Sequence, residues 1–178
     1  MNSTINRSTF VTVVAWIFIV LSGFGTMISI LQNIMIQTMF NGPEMEKFLQ
    51  TPPPPGAPPF AAFMADHFQF FFAAFLIVCA LMLASSIGLL KRKNWARLIF
   101  VGLMVLGIVW NLGGLVLQFT MFSSMQGGFA NAPGAPNMKP FMIAMAVFGV
   151  IFALGFSGLF GWIAKRLVSP AVVAEFKQ

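Results

Sequence analysis

The residues of this chain that could do chemistry are few and scattered. Asp66 and His67 stand side by side just before an apolar run, where they could hold a metal or relay a proton. A metal or acid–base site needs further ligands or carboxylates, and none lies near in sequence, so the pair reads as a solvated helix end. Glu44 and Glu46 fall on different faces of any helix and suit the first turn, where negative charge stabilises the positive end. Thirteen methionines include pairs at four-residue spacing, Met35 with Met39, Met121 with Met125, and Met138 with Met142. Soft thioethers can bind Cu(I), but unbranched, polarizable side chains also fill apolar gaps, and that is the simpler reading. The single cysteine, Cys79, lies inside an apolar stretch, which excludes a disulfide within the chain and a cysteine-based metal knuckle. There is no Ser-His-Asp set, P-loop or dinucleotide glycine fingerprint. Neither an enzyme nor a cofactor or metal is expected.

The surroundings of these residues explain why. The chain has 178 residues, of which 58% are hydrophobic and 8% charged, whereas ordinary domains carry about a quarter charged residues. Such a surface cannot coat a water-soluble globule, so lipid must be the solvent. The net charge of +6 does not indicate nucleic acid, because the cations sit at the ends of apolar runs instead of along one polar face. Four apolar stretches, 10–39, 68–90, 95–122 and 140–164, exceed the roughly 18 to 20 residues that an α-helix needs to cross hydrocarbon. Their interiors hold no Asp, Glu or Lys, and Arg97 lies only at the start of the third. The first run greatly outlasts a secretory signal and lacks an A-x-A-like site, so it reads as a retained span. The fold class expected is an all-α, polytopic membrane protein, a four-transmembrane-helix bundle.

Cations in short loops stay in the cytoplasm, so their distribution orients the bundle. Arg7 precedes the first span; Lys91, Arg92, Lys93 and Arg97 crowd the 91–94 turn; Lys165, Arg166 and Lys177 follow the fourth. Lys47 and Lys139 alone lie on the other side. Both termini, 1–9 and 165–178, are therefore expected inside, with Trp95 and Trp162 at the interface. The outer loop 40–67 opens with Pro43 and acids that favour a short helix over 43–50, followed by a stiff polyproline tract from Pro52 to Pro59. Helix two can begin before the membrane, from Pro59 onward. The outer loop 123–139, rich in Gly, Ala, Asn and Pro, is expected to be irregular and mobile. Ser169 and Pro170 form an N-cap and N1 pair for a short helix through about Phe176.

Helices in lipid associate through close backbone approach and hydrogen bonds, so small and weakly polar residues mark the faces that pack. Ser22, Thr26, Ser29 and Asn33 share one face of the first helix, and Gly107, Asn111, Gly114 and Gln118 one face of the third. Both helices run outward, Thr26 lies near the depth of Asn111 and Asn33 near that of Gln118, and the two faces are expected to meet. An unpaired amide near the midplane is costly, so Asn111 is expected to bond across helices; the other reading of these faces is the lining of a pore. Ala80, Ala84 and Gly88 in helix two, and Gly149, Ala153, Ser157 and Gly161 in helix four, form further small-residue ladders, expected to pack within the bundle or between copies.

The turn KRKNWAR, Lys91 to Arg97, resembles the basic Trp-Ala-Arg turn between helices of uncharacterised small four-helix bacterial membrane proteins. The start RSTFVTVVAWIFIVLSGF, Arg7 to Phe24, resembles proteins of the same kind from Gram-negative bacteria. The resemblance implies a bacterial inner membrane and carries no known activity. Animal four-helix junction proteins share the topology, but their paired extracellular cysteines are missing. Since the spans hold no charged residue to bind or relay an ion, the function expected is non-catalytic: association as an accessory subunit or self-assembling scaffold. The alternative is an oligomeric channel or passive pathway lined by helices one and three. The partners expected are the lipid bilayer and other copies of the chain or another membrane protein, with no nucleic acid.

Overall fold

The computed structural model describes residues 8–40, 63, 67–129 and 139–176, and all regular secondary structure among them is helical. The helices are α1 (Thr9–Phe40), α2 (Phe68–Leu90), α3 (Asn94–Phe129), α4 (Lys139–Val168) and the short α5 (Pro170–Glu175). Four of them contain apolar spans of 30, 22, 27 and 29 residues, each long enough to cross a membrane. Because lipid offers no hydrogen bonds to the backbone, a spanning segment must satisfy its own N–H and C=O groups, which the helix does internally.

Helix ends follow breakers more than hydropathy. α3 runs to Phe129, seven residues past the span expected to stop at Phe122, into a segment expected to be irregular. The first proline after it is Pro133, so no residue before that position forbids the helix. α4 likewise continues through Lys165 and Arg166 to Val168 instead of releasing a tail at Lys165, and stops where Pro170 restricts the residue before it. Ser169 is the N-cap of α5, but its hydroxyl donates back to the Arg166 carbonyl (2.7 Å) and makes no bond into α5. The expected helix over 43–50 and the proline tract lie outside the described residues. Before α2, the His67 backbone N–H and ring Nδ1 both reach the Phe63 carbonyl at 3.1 Å, and the two rings stack at 4.5 Å. These contacts fit a helix end.

Packing is dominated by two hairpins, α1 with α2 and α3 with α4, joined by close packing of α2 on α3 across the short Lys91–Lys93 turn. Among the described residues, a hydrophobic core sits where the hairpins meet, at the end that carries the basic residues. It is formed by Val11, Val14, Ala15, Leu89, Phe100, Met104, Ile163, Leu167, Val172 and Phe176. Phe18 of α1 and Phe100 of α3 meet edge to face there, with centroids 5.0 Å apart. Gly88 of α2 lets the hairpins join: a Cβ at that position would collide with the Ala96 methyl of α3 and touch the Trp95 ring at 3.5 Å.

Candidate functional site

The basic end is the most elaborated part of the molecule. α2 ends in a Schellman motif, in which the Lys93 N–H donates to the Gly88 carbonyl and the Arg92 N–H to the Leu89 carbonyl, each at 3.0 Å. The motif requires a left-handed residue, usually glycine, and here Arg92 takes it with φ 53°. An L side chain in this conformation carries a cost on the order of 1–2 kcal/mol. The contacts of the side chain offset it. Arg92 Nη2 donates to the Ser8 carbonyl (3.2 Å) and to Thr12 Oγ1 (3.3 Å), and Nη1 pairs with the Glu175 carboxylate at 3.3 Å.

Glu175 accepts the Ser8 N–H on both oxygens, at 3.2 Å each. Ser8 immediately precedes α1, so this carboxylate also places negative charge at the positive end of that helix. Arg97, one turn into α3, is 9% exposed. Its guanidinium donates to Asn94 Oδ1 (2.9 Å) and reaches the Leu167 carbonyl at the end of α4 (3.5 Å). The Phe176 ring serves both arginines, each guanidinium carbon lying 5.7 Å from its centroid. α5 thus acts as a clasp that ties the start of α1, the α2–α3 turn and the end of α4 together.

Of the expected topology determinants, Lys91, Lys93, Lys165 and Arg166 are exposed, while Arg92 and Arg97 are structural as well. Glu175, Phe176, Ser8 and Thr12 were not legible as members of one cluster. The available signal was Glu175 itself, the one acidic residue among the described positions.

The packing faces are redistributed relative to expectation. The α1 row does not meet the α3 row; its Ser29 and Asn33 contact α2. Ser29 Oγ lies 3.8 Å from Cys79 Sγ, Asn33 donates to the Phe72 carbonyl at 3.1 Å, and a Cβ on Gly25 would touch the Cys79 sulfur at 3.5 Å. The hydroxyls of Ser22, Thr26 and Ser29 donate to Phe18, Ser22 and Gly25 carbonyls one turn back. Two members of the α3 row, Gly107 and Gln118, contact α4. Gly107 accommodates the Phe160 ring, and Gln118 donates to the Met145 carbonyl (3.3 Å) while its amide fills the space a Cβ on Gly149 would need. Among the described residues Asn111 makes no bond across helices; it donates to the Gly107 carbonyl of its own helix at 2.8 Å. Gly114 faces open space.

The physical reason for the redistribution is chain order. Consecutive antiparallel helices seal against each other, and a hydroxyl or amide satisfied by its own helix needs no distant partner. Members of the α4 ladder pack within the chain: Gly149 abuts Gln118, a Cβ on Gly161 would lie 3.9 Å from the Ile108 side chain, and Ala153 is buried. Ser157 Oγ is buried without a hydrogen-bond partner among the described residues. The α2 ladder divides, with Gly88 buried against α3 but Ala80 and Ala84 exposed. No protein-family model matches this chain, and neither does any curated protein or solved structure.

Proposed function

We propose that this chain is a non-catalytic, four-helix protein of the bacterial inner membrane. Its basic end and both termini face the cytoplasm, and it acts by association, as a self-assembling scaffold or accessory subunit. The observation that carries this reading is the small-residue surface left over once the chain has packed on itself. Ala80 and Ala84 of α2 are exposed at four-residue spacing, and Gly113 and Gly114 of α3 have nothing among the described residues within 4 Å of a Cβ position. Another helix can approach such faces closely, because no large side chain stands between the backbones. The orientation rests on Lys91, Arg92, Lys93, Arg97, Lys165 and Arg166, all at one end.

The alternative, an oligomeric pore lined by α1 and α3, draws little support from the geometry. The polar groups of the α1 row already donate to main-chain carbonyls, those of Ser22, Thr26 and Ser29 within α1 and that of Asn33 to Ser29 of α1 and Phe72 of α2. The test of association is the mass of the full-length protein in mild detergent, compared with Ala84→Leu and Gly114→Leu. Oligomers or a co-purifying membrane protein, lost in either variant, are expected. Monomers throughout, with nothing co-purifying, would overturn the proposal. Liposome flux caused by the protein and abolished by Asn111→Leu would replace it with the pore.

A further inference from the structure

The last two turns of α4 and the break before α5 frame an open groove of about 610 Å³, lined by Trp162, Lys165, Arg166, Val168, Ser169 and Pro170. The groove is mostly apolar and carries two cations. Arg166 is positioned by aromatic rings: its guanidinium carbon lies 5.6 Å from the Phe10 centroid, and Phe10 is held edge-on to Trp162 with centroids 5.3 Å apart. A cation seated on a ring face leaves its N–H donors available to an anion. Neither Lys165 nor Arg166 makes an ion pair among the described residues, and the one described carboxylate, Glu175, is engaged by Arg92.

A second feature continues from the groove along the span. Successive one-turn steps back from Trp162 reach Gly158, Gly155, Ile151 and Phe148 on the same face of α4. Both glycines are exposed, with nothing among the described residues within 4 Å of a Cβ position, so the helix carries a bare furrow there, about two turns from the cations and inside the apolar span.

We propose that this groove binds one anionic phospholipid, its headgroup phosphate on Lys165, Arg166 and the Trp162 indole N–H and one acyl chain along the Gly158–Gly155 furrow. Charge complementarity selects the anion, and the apolar furrow continuous with it selects a lipid over a soluble phosphate. The proposal needs only that α4 spans a bilayer, so it stands or falls apart from self-association.

The test uses the full-length protein in mild detergent, with native mass spectrometry counting retained dioleoyl phosphatidylglycerol against dioleoyl phosphatidylcholine. One phosphatidylglycerol is expected to be held preferentially. Surface cations each contribute on the order of fivefold to anionic-lipid binding, so Lys165→Gln with Arg166→Gln should weaken it about 30-fold. Lys91→Gln with Lys93→Gln, which removes the same charge from the same end, should weaken it less than about threefold. The charge-conserving pair Lys165→Arg with Arg166→Lys should retain binding and shows that the fold survives change at these positions. Gly158→Leu, which fills the furrow without altering charge, should reduce retention severalfold. Equal losses in the two charge-removing pairs would mean diffuse attraction and overturn the site. Unchanged retention in Gly158→Leu, or displacement of the lipid by inorganic phosphate at equal concentration, would reassign the groove to a free anion and overturn the lipid.

Discussion

The clasp at the basic end makes a quantitative prediction about Arg92 and Glu175. Charges 3.3 Å apart attract by about 5 kcal/mol at an effective dielectric of about 20. The two side chains are only 16% and 12% exposed, so desolvation cancels much of that attraction. A coupling of about 1–2 kcal/mol should remain, between the values of exposed and fully buried pairs. The perturbation is a double-mutant cycle of Arg92→Met, Glu175→Gln and the pair. Methionine keeps the left-handed position occupied by a side chain, so backbone strain cancels, and glutamine can still accept the Ser8 N–H. Glu175→Gln alone should cost about 2 kcal/mol, since it leaves a largely buried guanidinium without its counter-charge. Stability is read by equilibrium unfolding in mixed micelles, followed by tryptophan fluorescence. Because the pair is shielded from water, the coupling should change little between low and high salt. A coupling below about 0.3 kcal/mol, within the error of additivity, would refute the reasoning and reduce α5 to an uncommitted tail.

Three further outcomes are expected. Arg92→Gly loses the same contacts as Arg92→Met but sheds the strain of φ 53°, so it should be more stable than Arg92→Met by about 1 kcal/mol in the same titration. Gly88→Ala should destabilise by about 1–3 kcal/mol, because the Ala96 methyl it meets cannot move without its backbone; Gly114→Ala, in open space, should be neutral or gain up to about 1 kcal/mol from helix propensity. Asn33→Leu removes one bond between α1 and α2 worth about 1 kcal/mol or less, so maleimide labelling of Cys79 in that seam should rise no more than about fivefold, and an unchanged rate would show that the bond does not hold the seam.

Several features of this architecture were legible in the residues alone. Four apolar runs of spanning length and a backbone that must bond to itself in lipid leave the helix as the one local solution. The Ser169–Pro170 pair marks the break between α4 and α5, since proline restricts its predecessor wherever it stands. Of the small-residue rows, Asn33, Gly107, Gln118 and Gly149 lie at helix contacts. Which face meets which was not legible. Matching Thr26 to Asn111 by depth assumed that helices running the same way pair, whereas the chain folds as sequential hairpins.

Composition and the length of apolar runs determine that the chain forms four helices able to span a membrane, because the energy of exposing backbone and charge to hydrocarbon is local to each segment. The tertiary structure alone decided that Arg92 adopts a left-handed turn, that Arg97 is buried, and that Glu175 reaches Ser8 across 167 positions of sequence. A charge at the end of a span looks the same in sequence whether it faces water or closes a bundle. Only the convergence of α1, α3, α4 and α5 on one point supplies the partners that make the second arrangement the more stable one.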